Sequence, residues 1–170
     1  ACLGRVESAC EAKAEMYAKG LGVSANPTEA ARIRQQSCDR GNTIGCRNLA
    51  LMYKEGVGVP KKDPAMAATL HEKACNLRSN ADCYELALMY EKGEGVKQDG
   101  KRVASLFQRA CGFGNYEACS NLGYYIFKGA ADHKKDTTIG LSKLRQGCSS
   151  YSWRYKDEKE KIKNVWSCGA

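Results

Sequence analysis

The stretch Cys46-Arg-Asn-Leu49-Ala50-Leu-Met52-Tyr53-Lys-Glu-Gly56-Val-Gly58-Val59 returns 37 residues later as Cys83-Tyr-Glu-Leu86-Ala87-Leu-Met89-Tyr90-Glu-Lys-Gly93-Glu-Gly95-Val96. Two such similar stretches at a fixed interval mark an internal repeat, and an interval of this length suits one helical hairpin. Looser copies lie on either side, around Cys10, 36 residues before Cys46, and around Cys119, 36 residues after Cys83. A unit this short cannot enclose a core alone, so each hairpin must bury its apolar face against its neighbours.

Inside the unit, Cys46, Leu49, Ala50 and Tyr53 recur at the i, i+3, i+4, i+7 spacing of one helical face, and Cys83, Leu86, Ala87 and Tyr90 repeat it. This helix A is expected to end at Gly20, Gly56, Gly93 and Gly129, with Gly22, Gly58 and Gly95 continuing the turn. A second helix, B, should begin at Asn26-Pro27-Thr28-Glu29, where Asn26 caps, Pro27 takes the first helical position and Glu29 reaches back to the amide of Asn26. Asp63-Pro64, Asp99 and Asp136 are the matching caps downstream. Ala30/Ala31, Ala67/Ala68 and Val103/Ala104 keep helix B close to helix A, while Ile33, Leu70, Leu106 and Phe107 fill the remaining space. The sequence therefore predicts an all-α chain.

The ten cysteines fall as Cys2/Cys10, Cys38/Cys46, Cys75/Cys83, Cys111/Cys119 and the wider Cys148/Cys168. Their number is even and their density high for 170 residues, which points to five disulfides and an oxidising compartment. Each eight-residue step brackets a turn, so a bond there would staple the end of one helix B to the start of the next helix A. A helix B is missing before Cys2, and the chain is expected to begin inside a repeat. A lipid-modified cysteine near the start is a competing reading of Cys2. Beyond Cys148, Ile162, Val165 and Trp166 share one helical face, which predicts a capping helix over 149–170 closed by Cys148–Cys168, with an aromatic binding tail as the rival.

The combination of Cys-x(7)-Cys, x-x-Leu-Ala-x-Met-Tyr-x-x-Gly-x-Gly-Val and a later Ala-Cys resembles the Sel-one-like repeat in its cysteine-rich, β-lactamase-like (Hcp-like) form. The resemblance covers residues 1–148. It implies a right-handed α/α solenoid of disulfide-stapled hairpins related to TPR arrays, with helix A on the concave side and each cysteine pair bridging a hairpin. Lys13 departs from the repeat leucine, and Ala131 and Asp132 stand in place of the fourth unit's second glycine and valine.

Catalytic motifs are sparse. Ser-x-x-Lys, Lys-Thr-Gly and Gly-x-Ser-x-Gly do not occur. His71-Glu72-Lys73-Ala74-Cys75 lacks the second histidine of a zinc-protease helix, so His71 reads as a packed helix B residue in the slot that Phe107 holds one unit later, and His133 as a loop residue. Eight-residue cysteine steps suit disulfides better than zinc, and Met16, Met52 and Met89 read as repeat core, so neither metal nor cofactor is expected. The net charge of +8 comes from dispersed Lys and Arg interleaved with acids, which argues against nucleic acid and leaves an acidic protein surface as a suitable partner. No apolar run is long enough to span a membrane, nothing of signal-peptide form opens the chain, and any export leader is expected to have been removed.

The remaining candidate is the other face of helix A, two, five and nine residues beyond each leading cysteine. Those positions hold Ala12, Glu15 and Lys19; Asn48, Leu51 and Glu55; Glu85, Leu88 and Lys92; and Asn121, Tyr124 and Lys128. They vary while the core positions recur, as expected of a solenoid's binding surface, and Asn48 through Lys128 are the candidate partner-binding residues. The rival reading is an ordinary solvated face. The resemblance implies a periplasmic or secreted protein-binding adaptor, host-interaction factor or toxin-sequestering immunity protein. A weak penicillin-binding or β-lactamase-type hydrolase with a cell-wall or β-lactam ligand is the alternative function, and the mitochondrial intermembrane space the alternative location.

Overall fold

The computed structural model describes residues 7–129 and 136–148. They form eight helices, α1 (Glu7–Lys19), α2 (Pro27–Asp39), α3 (Thr43–Glu55), α4 (Pro64–Asn76), α5 (Asn80–Lys92), α6 (Gly100–Gly112), α7 (Tyr116–Lys128) and α8 (Thr137–Cys148), and no strand among the described residues. Odd-numbered helices are the predicted A helices and even-numbered ones the B helices. Each packs chiefly on the helix before it and the helix after it, the neighbour-only pattern of a solenoid.

Local chemistry sets these boundaries. The Asn26 side chain accepts from the Glu29 amide at 3.0 Å, and Asp63, Asp99 and Asp136 accept likewise at the starts of α4, α6 and α8. The predicted return contact from Glu29 is not made. The Asn26 amide donates instead to the Tyr17 carbonyl at 2.7 Å, and the Glu29 carboxylate takes two hydrogen bonds from Arg32 at 2.8 and 2.6 Å. The A helices end on left-handed glycines, with φ of 79° at Gly56 and 72° at Gly93.

The second glycines continue the turn in the left-handed conformation, as expected, and at Gly58 and Gly95 they have a further role. A Cβ on Gly58 would lie 2.3 Å from the Pro27 carbonyl oxygen, and one on Gly95 would lie 2.3 Å from the Pro64 carbonyl. The loop leaving helix A thus rests on the first turn of the preceding unit's helix B, at a distance that only hydrogen allows.

The core follows the repeat. Leu49, Ala50, Leu86, Ala87 and Leu122 from the A helices meet Ala30, Ile33, Ala67, Leu70, Val103, Leu106 and Phe107 from the B helices, all nearly inaccessible to water. Gly140 on α8 comes so near α7 that a Cβ would stand 3.0 Å from the Gly123 carbonyl oxygen. Met52 and Met89 are buried, whereas Met16 is 40% exposed.

Three predicted disulfides are present, Cys38–Cys46, Cys75–Cys83 and Cys111–Cys119, with Cα atoms 4.5, 4.6 and 4.7 Å apart. Each joins the last turn of a B helix to the first turn of the next A helix, so the staples lie between hairpins. Cys10 is buried on α1. Its expected partner Cys2, the residues around His133, and the predicted cap over 149–170 with Cys168 lie outside the described residues.

Candidate binding surface

Consecutive A helices are tied side by side by hydrogen bonds one repeat apart. Asn48 on α3 donates to Glu11 on α1 at 2.6 Å, Asn121 on α7 to the Tyr84 hydroxyl on α5 at 3.4 Å, and the Tyr125 hydroxyl to Glu91 at 2.7 Å. Burial, reinforced by the Glu91 carboxylate, pushes the Tyr125 phenol well above its ordinary pKa, so it remains a donor throughout the physiological range. Lys54 on α3 also lies 3.2 Å from Glu94 beyond α5.

These ties sort the predicted stripe. Asn48 and Asn121 are half-buried and engaged inside the molecule, so their side chains serve the solenoid rather than facing outward unpaired. Leu88 is half-buried against the core, and Tyr124 is half-buried with the Lys128 ammonium 5.8 Å from its ring centre. Leu51, Glu55, Glu85, Lys92 and Lys128 are exposed. Glu55, Glu85 and Lys92 form no ion pair among the described residues, whereas Lys19 in the first unit is paired with Glu15. The result is a central row of Leu51, Leu88 and Tyr124 across three units, edged by Glu55, Glu85 and Lys92, which form no ion pair among the described residues, and by Lys128 over the Tyr124 ring.

A buried polar cluster between the second and third units was missed by sequence reasoning. Asp82, fully inaccessible, accepts from His71 Nδ1 at 2.8 Å, from Arg47 Nη2 at 2.6 Å, from Arg47 Nε at 3.3 Å and from the Ser79 hydroxyl. Burial alone would push the Asp82 carboxyl up, but the bonds from His71, Arg47 and Ser79 outweigh it and hold the group below the usual carboxylate range. Facing an ionised acceptor, His71 must carry its proton on Nδ1. Serine and histidine thus both bond to the aspartate, and this serine has no imidazole base on it, so the three do not make an activated nucleophile. His71 is packed inside helix B as expected, at 4% exposure. The overlooked signal was Asp82 itself, directly before Cys83, where the other units carry Gly45 and Ala118.

Elsewhere among the described residues the surface carries open depressions. One of about 620 Å³ lies between α2 and α4 beside Asp39, Glu72 and Lys73, and one of about 500 Å³ adjoins Tyr90 and Arg102. Among the described residues no cluster of three or more His, Cys, Asp or Glu side chains could hold a metal ion, and no helix is long and apolar enough to cross a membrane.

Hairpins of this length, stapled and stacked in register, define a solenoid of Sel1 repeats. The Sel1 repeat matches at residues 8–42, 43–79, 81–111 and 117–142, and the chain belongs to that family. No curated protein sequence matches it. Among solved structures it is similar to a Sel1 repeat protein from Oxalobacter formigenes, with 23% identity, a TM-score of 0.74, and coverage of 84% of this chain and 58% of that one. It is also similar to a protective antigen of uropathogenic Escherichia coli displaying an SLR fold, with 27% identity, a TM-score of 0.74, and coverage of 84% and 30%. Cysteine-rich protein B of Helicobacter pylori shares 27% identity at a TM-score of 0.55, over 70% of this chain and 98% of that one. The chain thus spans just over half of the Oxalobacter protein and under a third of the E. coli antigen.

Proposed function

We propose that this chain is a non-enzymatic protein-binding solenoid working outside the reducing cytosol, and that it holds its partner on the concave face formed by its A helices. Repeats of this family typically serve protein–protein interaction. The observation that carries the reading is the contrast within helix A. Core positions such as Leu49, Leu86 and Leu122 recur from unit to unit, while the exposed Glu55, Lys92 and Lys128 reverse charge at equivalent positions and the row of Leu51, Leu88 and Tyr124 beside them turns from leucine to tyrosine. Three disulfides between hairpins support an oxidising location, periplasmic or secreted. The similarity to a protective antigen and to a cysteine-rich Helicobacter protein agrees with that location.

A pull-down with the intact, oxidised chain tests the proposal. Charge reversal at Glu85 and Lys92 together, E85K/K92E, should abolish capture of a specific partner while leaving helicity unchanged, since both side chains are exposed and unpaired. A partner retained equally by both forms would place the contact surface elsewhere.

A further inference from the structure

We infer that the occupant of this face is an amphipathic α-helix lying across the A helices, with apolar residues at seven-residue intervals and oppositely charged edges. The inference rests on the proposed binding role of the face and specifies its ligand.

Width is the first argument. On each A helix the flanking positions lie seven residues apart, Asn48 to Glu55 and Glu85 to Lys92, which at the helical rise is about 10.5 Å. An occupant touching both flanks while covering the central row must be as wide as a helix with its side chains, about 10–12 Å. A single extended strand, which takes about 5 Å beside a neighbour, reaches one flank at a time.

Spacing is the second. Leu51, Leu88 and Tyr124 occupy equivalent positions on successive A helices, which are joined by side-chain hydrogen bonds from Arg47 to Asp82 and from Asn121 to Tyr84. Adjacent packed helices lie about 8–10 Å apart, and residues i, i+7 and i+14 of a crossing helix advance about 10.5 Å each.

Charge is the third. One flank carries Glu55, Lys92 and Lys128 in order along the array, and the other carries Glu85 as its sole charge, between Asn48 and Asn121. The complementary helix therefore presents acids to Lys92 and Lys128, and bases to Glu85 and Glu55. That pattern also fixes its direction along the solenoid.

The test uses three synthetic 18-residue probes, each fluorescently labelled and titrated by anisotropy against the oxidised chain. The first is a side-chain-stapled helix with Leu at three heptad positions and the charge pattern above. The second has the same composition with two central prolines, and the third exchanges every Glu and Lys of the first. The matched helix should bind at least tenfold more tightly than either control, L51D should remove that binding, and K92E/K128E, which leaves either probe with two attractive and two repulsive pairs, should erase the preference between matched and exchanged helices. Equal binding of the proline-broken probe, no binding of the matched helix, or a preference unmoved by K92E/K128E would overturn the helical occupant. If E85K/K92E still loses a captured partner in those cases, the binding face itself stands. If the matched helix binds but ignores both L51D and K92E/K128E, face and occupant fall together.

Discussion

Asp82 offers the sharpest test of how the units are held in register. Replacing it with alanine, D82A, removes an acceptor of four hydrogen bonds from a fully inaccessible position. The His71 imidazole, 5% exposed, loses its acceptor with little water to replace it, while the Arg47 guanidinium, on a side chain 34% exposed, is only partly rehydrated. Breaking one partner out of a buried charged network costs about 3–5 kcal/mol, a large part of the stability of a domain this size. The protein carries its own apolar substitute one unit later, where Tyr84, Phe107 and Ala118 occupy the positions of Arg47, His71 and Asp82. The triple variant R47Y/H71F/D82A should therefore recover most of the loss, because exchanging a whole buried ion cluster for packed apolar groups is about neutral or stabilising. Urea denaturation with disulfides intact measures the global effect. Amide hydrogen exchange in α4 and α5 reads the local one, which matters because a solenoid can open unit by unit. A loss below about 1 kcal/mol in D82A, or a triple variant no more stable than D82A, would refute the network's role; the expected losses are those cited for buried pairs. The pH dependence carries the same sign. With the Asp82 carboxyl held below its ordinary value, its contribution is full above about pH 4 and fades as pH falls through its own folded pKa, so acid should destabilise the wild type more steeply than the triple variant.

Removing the central staple with C75S/C83S should cost about 2.5 kcal/mol, the chain-entropy value for a loop of nine residues, and reduction of the wild type should lower the urea midpoint further because it opens every staple at once. G95A should be much worse than G114A, although both glycines have positive φ, 72° and 92°, because a Cβ at 95 meets the Pro64 carbonyl at 2.3 Å and one at 114 meets nothing within 4 Å. The second variant should cost about 1–2 kcal/mol from backbone strain alone and the first clearly more, as compared by thermal or urea midpoints. R78G should be close to neutral, since relieving the left-handed conformation of Arg78 at φ 67° gains about 1 kcal/mol while loss of its contact with the Phe113 ring costs about 0.5–1 kcal/mol. A urea midpoint shifted clearly either way would show that one of the two effects is absent.

The hairpins, their caps and the cysteine pairs were legible because each is dictated by residues close in sequence. Asn26 and Asp63 cap within three residues, and Cys75 reaches Cys83 across a single turn. What escaped reading depends on residues a whole repeat apart. Gly58 looks like a turn residue until the carbonyl of Pro27 is found against it. Asn48 looks like a free polar residue on an outer stripe until Glu11, 37 positions earlier, accepts its hydrogen bond. Asp82 breaks a run of small residues before the cysteine, and its partners at 47, 71 and 79 belong to three different elements. Periodicity reveals which positions are equivalent, but not which chemistry from the neighbouring unit arrives there.

One position on helix B makes that distinction concrete. Arg34, His71 and Phe107 are equivalent, and each bridges successive units with a different kind of contact. Arg34 donates to Glu11 at 2.9 Å and lies 3.3 Å from the Met52 sulfur. His71 bonds to Asp82. Phe107 sits between the Tyr84 and Tyr125 rings, with centroids 5.7 and 5.8 Å away. An ion pair, a buried hydrogen-bonded network and an aromatic cluster thus fill the same slot, and each is complementary to its own neighbours alone. An Arg34 set between the Tyr84 and Tyr125 rings, or a Phe107 set beside Glu11, would leave a charge without its counter-ion, at a cost of several kcal/mol. Short turns and a disulfide between successive hairpins fix which units are neighbours, and the three unlike junctions fix how each pair packs, which sets the placing of Leu51, Leu88 and Tyr124 along the face of the A helices. Order along that face is what a directional partner would read, so the variation inside the core and the variation on the surface serve the same end.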